Sequence, residues 1–308
     1  MSSDSFQTRF SRSLGRNALK ATHLIIRNLP YPVYRAMTFV FMAIGQLALH
    51  SKKRLALENM RMAFGEEKSE QEVRELAQKA FDNFGLGMIE LVYFLDKPKE
   101  VVKRVTIQGK ENLDAALAKG NGVVLLSAHF GNFVLMMMRL AAEGYKVNCI
   151  MRQMRDEEFE KYILDLRNRN GIHTIHSQPR RDCIVHSLRC LKENEALFIL
   201  LDQHYGDDGR VFVDFFGQPA ATATGPVIFS QRAGAPILPA FITRDGKDRF
   251  KIHIDPPVIL EAPQGSEEDT TRNVAQLSKV IESYVRRYPE EWGGWLHRRW
   301  KSKETQVS

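Results

Sequence analysis

One histidine in this chain follows a run that reads as a buried strand and precedes a glycine. The stretch is Val123-Val-Leu-Leu-Ser-Ala-His-Phe-Gly-Asn132. Its apolar start predicts a strand ending at Ser127–Ala128, with His129 at the carboxyl edge. Gly131 permits a tight turn, and a helix is expected from near Asn132. In open α/β sheets, ligands bind beyond the carboxyl ends of strands, where free N–H groups at a helix start can hold a developing oxyanion. An imidazole placed there can serve as a general base near neutral pH. On local pattern alone, a capping or structural histidine accounts for His129 equally well. The other histidines and the cysteines show no metal-ligand spacing. His173-Thr-Ile-His176 beside Cys183 and Cys190 fits no zinc pattern, so surface histidines and buried cysteines are expected. With Cys149 these make three cysteines and no CxxC, which sets a reduced, cytoplasmic environment as the default.

The elements that must hold this histidine change character along the chain. Ser69-Glu-Gln-Glu72 has the form of a capping box, and Val73, Leu76, Ala77, Ala80, Phe81 and Phe84 continue at helical spacing towards Leu95. Residues 1 to about 100 therefore read as helix throughout. Beyond them come short apolar runs at Val105–Ile107, Val123–Ser127, Val147–Met151, Ala196–Leu201 and Ile237–Thr243. Helical patterns at Asn132–Ala142, Glu157–Asn168 and Asp182–Lys192 lie between the later runs. That alternation predicts an α/β fold with a mixed, mostly parallel central sheet flanked by helices, behind an N-terminal helical portion. Phe250–Ile254 alternates apolar and polar residues as an edge strand would, and Thr270–Tyr288 is a closing amphipathic helix. The expected divisions are membrane-association helices over 1–50, a helical portion packed on the core over 51–100, and the α/β domain with a basic, Trp-rich tail over 101–303.

Charge names the class of partner. The 308 residues carry a net +7, and a mean hydropathy of -0.31 excludes a polytopic membrane protein. Arg9, Arg12, Arg16, Lys20 and Arg27 oppose only Asp4 in the first 32 residues, with Phe6, Phe10, Leu14, Ala18 and Ala21 forming an apolar stripe. No secretory cleavage pattern follows. The run from Ala36 to Leu49 is strongly apolar but falls short of the ~20 residues that span a bilayer, so a helix lying in the membrane interface is expected. Trp292, Trp295 and Trp300 among five basic residues from His297 to Lys303 read as a headgroup-facing tail, with a soluble basic surface as the alternative. No nucleic-acid motif accompanies the positive charge, and none is expected as a partner.

His129-Phe-Gly-Asn-Phe resembles the His-x-x-x-x-Asp/Glu motif of glycerolipid acyltransferases, in the His-Phe-Gly-Asn-Trp-Glu form of the bacterial lipid A biosynthesis lauroyl/myristoyl acyltransferase family. Leu57-Glu-Asn59 with Met62-Ala-Phe64, Leu201-Asp-Gln203, Gly209–Gly217, Pro219, Thr224-Gly225, Ala233–Phe241 and Trp295–Lys301 are similar to further family segments, in the same order. The resemblance implies that an acceptor hydroxyl loses its proton to His129 and attacks an acyl thioester on acyl-carrier protein or acyl-CoA. The acceptor would be a lipid A precursor or a related anionic lipid, at the cytoplasmic face of the inner membrane. No cofactor and no metal are implied. Amides around Gly131 would bind the oxyanion, Arg152 and Arg210 would clamp phosphates, and Gly217, Thr224 and Gly225 would contact substrate. Each has a plainer reading, as solvated arginine or ordinary turn. Leu135-Met-Met-Met138 invites an acyl pocket, although a helix turns at least two of these into the core.

The chain departs from the family at Val134, where the motif has Glu or Asp. That carboxylate would fix the imidazole tautomer and stabilise the imidazolium, and valine can do neither. Three readings stay open. Another carboxylate substitutes: Asp202 first, with Asp207, Asp208 and Glu90 behind it. Alternatively, Asn132 orients the ring, or the chain binds lipid or acyl chains without turnover.

Overall fold

The structure is a computed structural model that describes residue 17 and residues 20–154, 156–206, 209–261 and 266–301. The basic stretch through Arg16, together with Ala18, Asp207, Asp208 and Lys303, lies outside them. After a helical stretch over residues 20–26 come α1 (Tyr31–Ala48), α2 (His50–Phe64), α3 (Glu70–Phe94) and α4 (Pro98–Arg104). Pro30 caps α1, and the Ser69–Glu72 capping box opens α3 with both reciprocal hydrogen bonds in place. There follow β1 (Val105–Gln108), α5 (Lys110–Leu117), β2 (Val123–Ser127), α6 (Phe133–Ala142), β3 (Val147–Met151), α7 (Glu157–Arg169), β4 (Ile172–His176), α8 (Arg180–Lys192) and β5 (Ala196–Leu200). The chain continues through β6 (Arg210–Phe215), β7 (Gln218–Ala223), α9 (Gly225–Ala233), β8 (Ile237–Arg244), β9 (Phe250–Ile254) and α10 (Glu267–Arg287).

Seven strands form one sheet in the order β1-β9-β8-β2-β5-β3-β4. Only β8 and β9 pair antiparallel, so the sheet is mixed and mostly parallel, with β2 at its centre. Both faces are covered. Val124 and Leu126 of β2 face a core built with α2, the first half of α3, α8, α9 and α10. Val123 and Leu125 alternate to a second core with the end of α3, α4, α5 and α6. Phe250–Ile254 is not an edge strand, because the four-residue β1 pairs beyond it and takes that edge. Its alternation reflects partly exposed Lys251 and His253 on one face. β4, β6 and β7 carried no clear apolar run. β6 and β7 stand apart from the main sheet as a hairpin.

The tail reverses its expected role. Trp292 and Trp295 are wholly enclosed, and Trp300 is nearly so. All three belong to the core that contains α2 and α10, not to a headgroup belt. Arg299 is 1 % exposed. The indoles were needed to fill the space between α2, α3 and the β6–β7 hairpin, and an aromatic and basic composition cannot distinguish that from a membrane surface.

Candidate active site

The register of two neighbouring parallel strands builds the site. β2 and β5 pair with Ser127 opposite Leu200, and the Leu201 amide extends the ladder to the Ser127 carbonyl at 3.0 Å. His129 follows Ser127 by two residues and Asp202 follows Leu200 by two, so the strands deliver both at the same height beyond their carboxyl ends. Asp202 Oδ1 lies 2.8 Å from His129 Nδ1, and Oδ2 accepts the His129 backbone N–H at 2.9 Å and the Trp292 indole N–H at 2.7 Å. The carboxylate is 1 % exposed. Burial alone would raise its pKa, but the imidazole charge and these three donors hold it down at about 2. Burial pushes the His129 pKa down, and Asp202 outweighs that and leaves it above the ordinary histidine value.

A return of the chain frames this pair. Residues 291–293 run antiparallel to 129–131 through a bridge between Phe130 and Trp292, with Gly131 N–H to the Glu291 carbonyl and Gly293 N–H to the His129 carbonyl, both 2.7 Å. Gly131 has φ +51°, and a β-carbon there would lie 2.2 Å from the Ile242 carbonyl oxygen. The tight turn therefore requires glycine. Its N–H is spent on Glu291 and is not a free oxyanion donor. Phe133 stacks edge-on against the imidazole at 5.3 Å between centroids.

His129 stands where two cavities meet. One, of about 760 Å³, carries Arg152, Gln203, His204 and Lys301 in its wall. The other, of about 360 Å³, is apolar, lined along α3 by Met88, Leu91, Val92 and Leu95 and along α7 by Phe159, Ile163 and Leu166. His129, Phe133, Met137 and Met151 line both. Val134 faces the apolar cavity, so the motif's usual acid position here adds to a hydrocarbon surface.

The remaining candidates divide. Asn132 does not orient the ring: it is 6 % exposed, and its amide donates to the Gly87 carbonyl at 3.0 Å, tying α6 to α3. Glu90 is taken up in a bidentate pair with Arg244, both bonds 2.8 Å. Arg152 is exposed and lines the polar cavity. Arg210 lies outside both linings and donates to the Gly206 carbonyl at 2.9 Å. Gly217 belongs with Phe216 to the tip of the β6–β7 hairpin, where both have positive φ, and it lies outside both cavity linings. Thr224 and Gly225 start α9, and the Thr224 hydroxyl donates to the Gly209 carbonyl at 2.9 Å, so both serve the chain's own turn. Of Leu135–Met138 only Met137 reaches the cavities, although all four are buried.

The family model for bacterial lipid A biosynthesis acyltransferases matches residues 6–302. The chain belongs to that family. Among curated relatives of these acyltransferases, it is 29% identical to the lipid A biosynthesis lauroyltransferase of Escherichia coli K12 over 288 residues, covering 91% of this chain and 89% of that one. It is 25% identical to the palmitoleoyltransferase of the same organism over 284 residues, 89% and 87% of the two chains. A phosphatidylinositol mannoside acyltransferase of Mycobacterium tuberculosis matches at 28% over 145 residues, 46% of this chain and 45% of that one.

Sequence reasoning missed three residues around His129 and Asp202. Gln203 adjoins His129 Nε2 at 3.1 Å, Trp292 donates to Asp202, and Arg299 donates to the Gln203 carbonyl at 2.7 Å. The signal for Gln203 was the Asp-Gln pair, of which only Asp202 was given a role. Trp292 and Arg299 lay in a tail whose composition suggested the membrane.

Proposed function

We propose that this chain moves a fatty acyl group from an acyl thioester, on acyl-carrier protein or coenzyme A, to a hydroxyl of a lipid A precursor or a related anionic lipid. His129 acts as general base, and Asp202 fixes its tautomer and stabilises the imidazolium. The observation that carries this reading is the 2.8 Å contact of Asp202 Oδ1 with His129 Nδ1, at a histidine that joins a polar and an apolar cavity. The apolar cavity suits the acyl chain. The polar one, with Arg152 and Lys301 in its wall, suits an anionic headgroup or donor phosphate. Family membership supports acyl transfer in lipid A biosynthesis.

Attachment to the cytoplasmic face of the inner membrane fits the surface. Phe39, Val40 and Ile44 of α1 are at least half exposed, as are Leu24 and Ile25 just before it. Among the described residues no single helix is long and apolar enough to cross a bilayer, though α1 and α2 form a bent pair that passes together. Because α2 buries Ala56, Met60 and Phe64 in the core, we assign only α1 and the residues before it to the interface.

The turnover-free alternative rests on Val134 and is separable by assay. Purified protein with acyl-carrier-protein or CoA donors is expected to transfer acyl groups. His129→Ala should abolish transfer, and Asp202→Asn should lower kcat by on the order of 10⁴ by analogy with the serine-protease aspartate. Absence of transfer by the wild type with either donor, and its gain in Val134→Glu, would establish the silent reading instead.

A further inference from the structure

We infer that Gln203 is a catalytic residue whose side-chain amide caps the base at rest and binds the oxyanion during reaction. The inference rests on His129 being the base. With the Nδ1 proton directed at Asp202, Nε2 carries the lone pair, so of the two ends of the Gln203 amide only its NH₂ can face it. That NH₂ lies 3.1 Å from the atom that must take the acceptor's proton. An incoming hydroxyl has to replace it there, and the displaced amide is left beside the carbon under attack.

The three amides just before Asn132 are already spent. The amides of His129, Phe130 and Gly131 go to Asp202 Oδ2, the Ala128 carbonyl and the Glu291 carbonyl, at 2.9, 2.7 and 2.7 Å. Gln203 is exposed in the polar cavity, yet its backbone is anchored by Arg299. That buried guanidinium is itself held by the Ala221 carbonyl and the Thr222 hydroxyl at 2.8 and 2.7 Å. The anchored backbone keeps the displaced amide within reach of the developing charge.

The reaction then balances without further groups. The acceptor oxygen bonds to the thioester carbon as its proton passes to His129 Nε2, and the carbonyl oxygen becomes an oxyanion bound by the Gln203 NH₂. Collapse breaks the C–S bond, and the thiolate leaves with the proton returned by the imidazolium.

The test uses the full-length chain with Gln203→Met, which keeps the shape, and Gln203→Ala. Both should lose about 10²–10³ in kcat, the range for removing one oxyanion donor, with the acceptor KM no higher than wild type. A shift of His129 ring resonances during NMR titration gives a second readout. Removing a donor from Nε2 destabilises the neutral ring, so the His129 pKa should rise in both variants. Retention of kcat within about threefold while His129→Ala is dead would overturn this inference alone, leaving the oxyanion to the first amides of α6. An unchanged His129 pKa would overturn the capping role. Full turnover in His129→Ala would instead sink the parent reading.

Discussion

At the scale of single residues, the site is a matter of where one proton resides. To act as the proposed base, His129 must be neutral to accept it, and Asp202 raises the pH at which neutrality is reached. Activity should therefore climb with pH on a limb whose midpoint lies above the ordinary histidine value of 6.5. Replacing Asp202 with Asn withdraws the charge, so the midpoint should move to lower pH even as the plateau collapses; a kcat/KM–pH profile of both proteins reads this directly. The same linkage governs stability. Asp202, held at about 2, stabilises the fold above the ordinary carboxylate range and loses that contribution as pH falls through its folded value. His129, raised, contributes below 6.5 and loses it as pH rises through its folded value. The melting-temperature gap between wild type and Asp202→Asn should thus be widest between about pH 4 and 6.5.

At the scale of elements, the pair exists because β2 and β5 are neighbours in parallel register. The apolar runs made both strands legible, and Asp202 could be named because it sits at a strand end. The strand order could not be read, since any of the four other apolar runs might have flanked β2, so Asp207, Asp208 and Glu90 stayed open behind Asp202. Asn132 failed as an orienting group for a similar reason: its partner, the Gly87 carbonyl, lies 45 residues earlier on α3. The hairpin of β6 and β7 escaped because Ala220, Ala221 and Thr222 are buried but small, a pattern that signals no strand period. The turn after β2 offers a test at this scale. Gly131→Ala adds a β-carbon 2.2 Å from the Ile242 oxygen at a φ of +51°. It should cost at least ~1–3 kcal/mol in chemical denaturation and displace His129 enough to reduce turnover; a silent change would show that the turn relaxes freely.

At the scale of the whole molecule, the proposed function needs an apolar face, a cavity and a headgroup pocket on one body. The helical N-terminal portion was legible from its capping box and spacing, but which part would meet lipid under the proposed function was not. Composition assigned that role to both ends. Burial then withdrew it from Trp292, Trp295 and Trp300 and left the exposed apolar row of α1. Phe39→Glu with Ile44→Glu should weaken binding to vesicles containing anionic lipid by more than tenfold, since each large apolar side chain is worth about 1.5–3 kcal/mol on burial. Turnover on detergent-dispersed substrate should survive. Equal vesicle binding by the double variant would remove α1 from the interface.

The indole that holds Asp202 stands 90 positions after it. During synthesis at about 5–20 residues per second, β2 and β5 are both made many seconds before Trp292. Throughout that interval Asp202 lacks one of its donors and His129 lacks the strand that braces its turn. A nascent chain can therefore have β2 and β5 made while the Asp202–His129 pair still lacks these contacts. That pair is complete only once the chain has been made past residue 293, because Trp292 and Gly293 supply the last contacts of this turn.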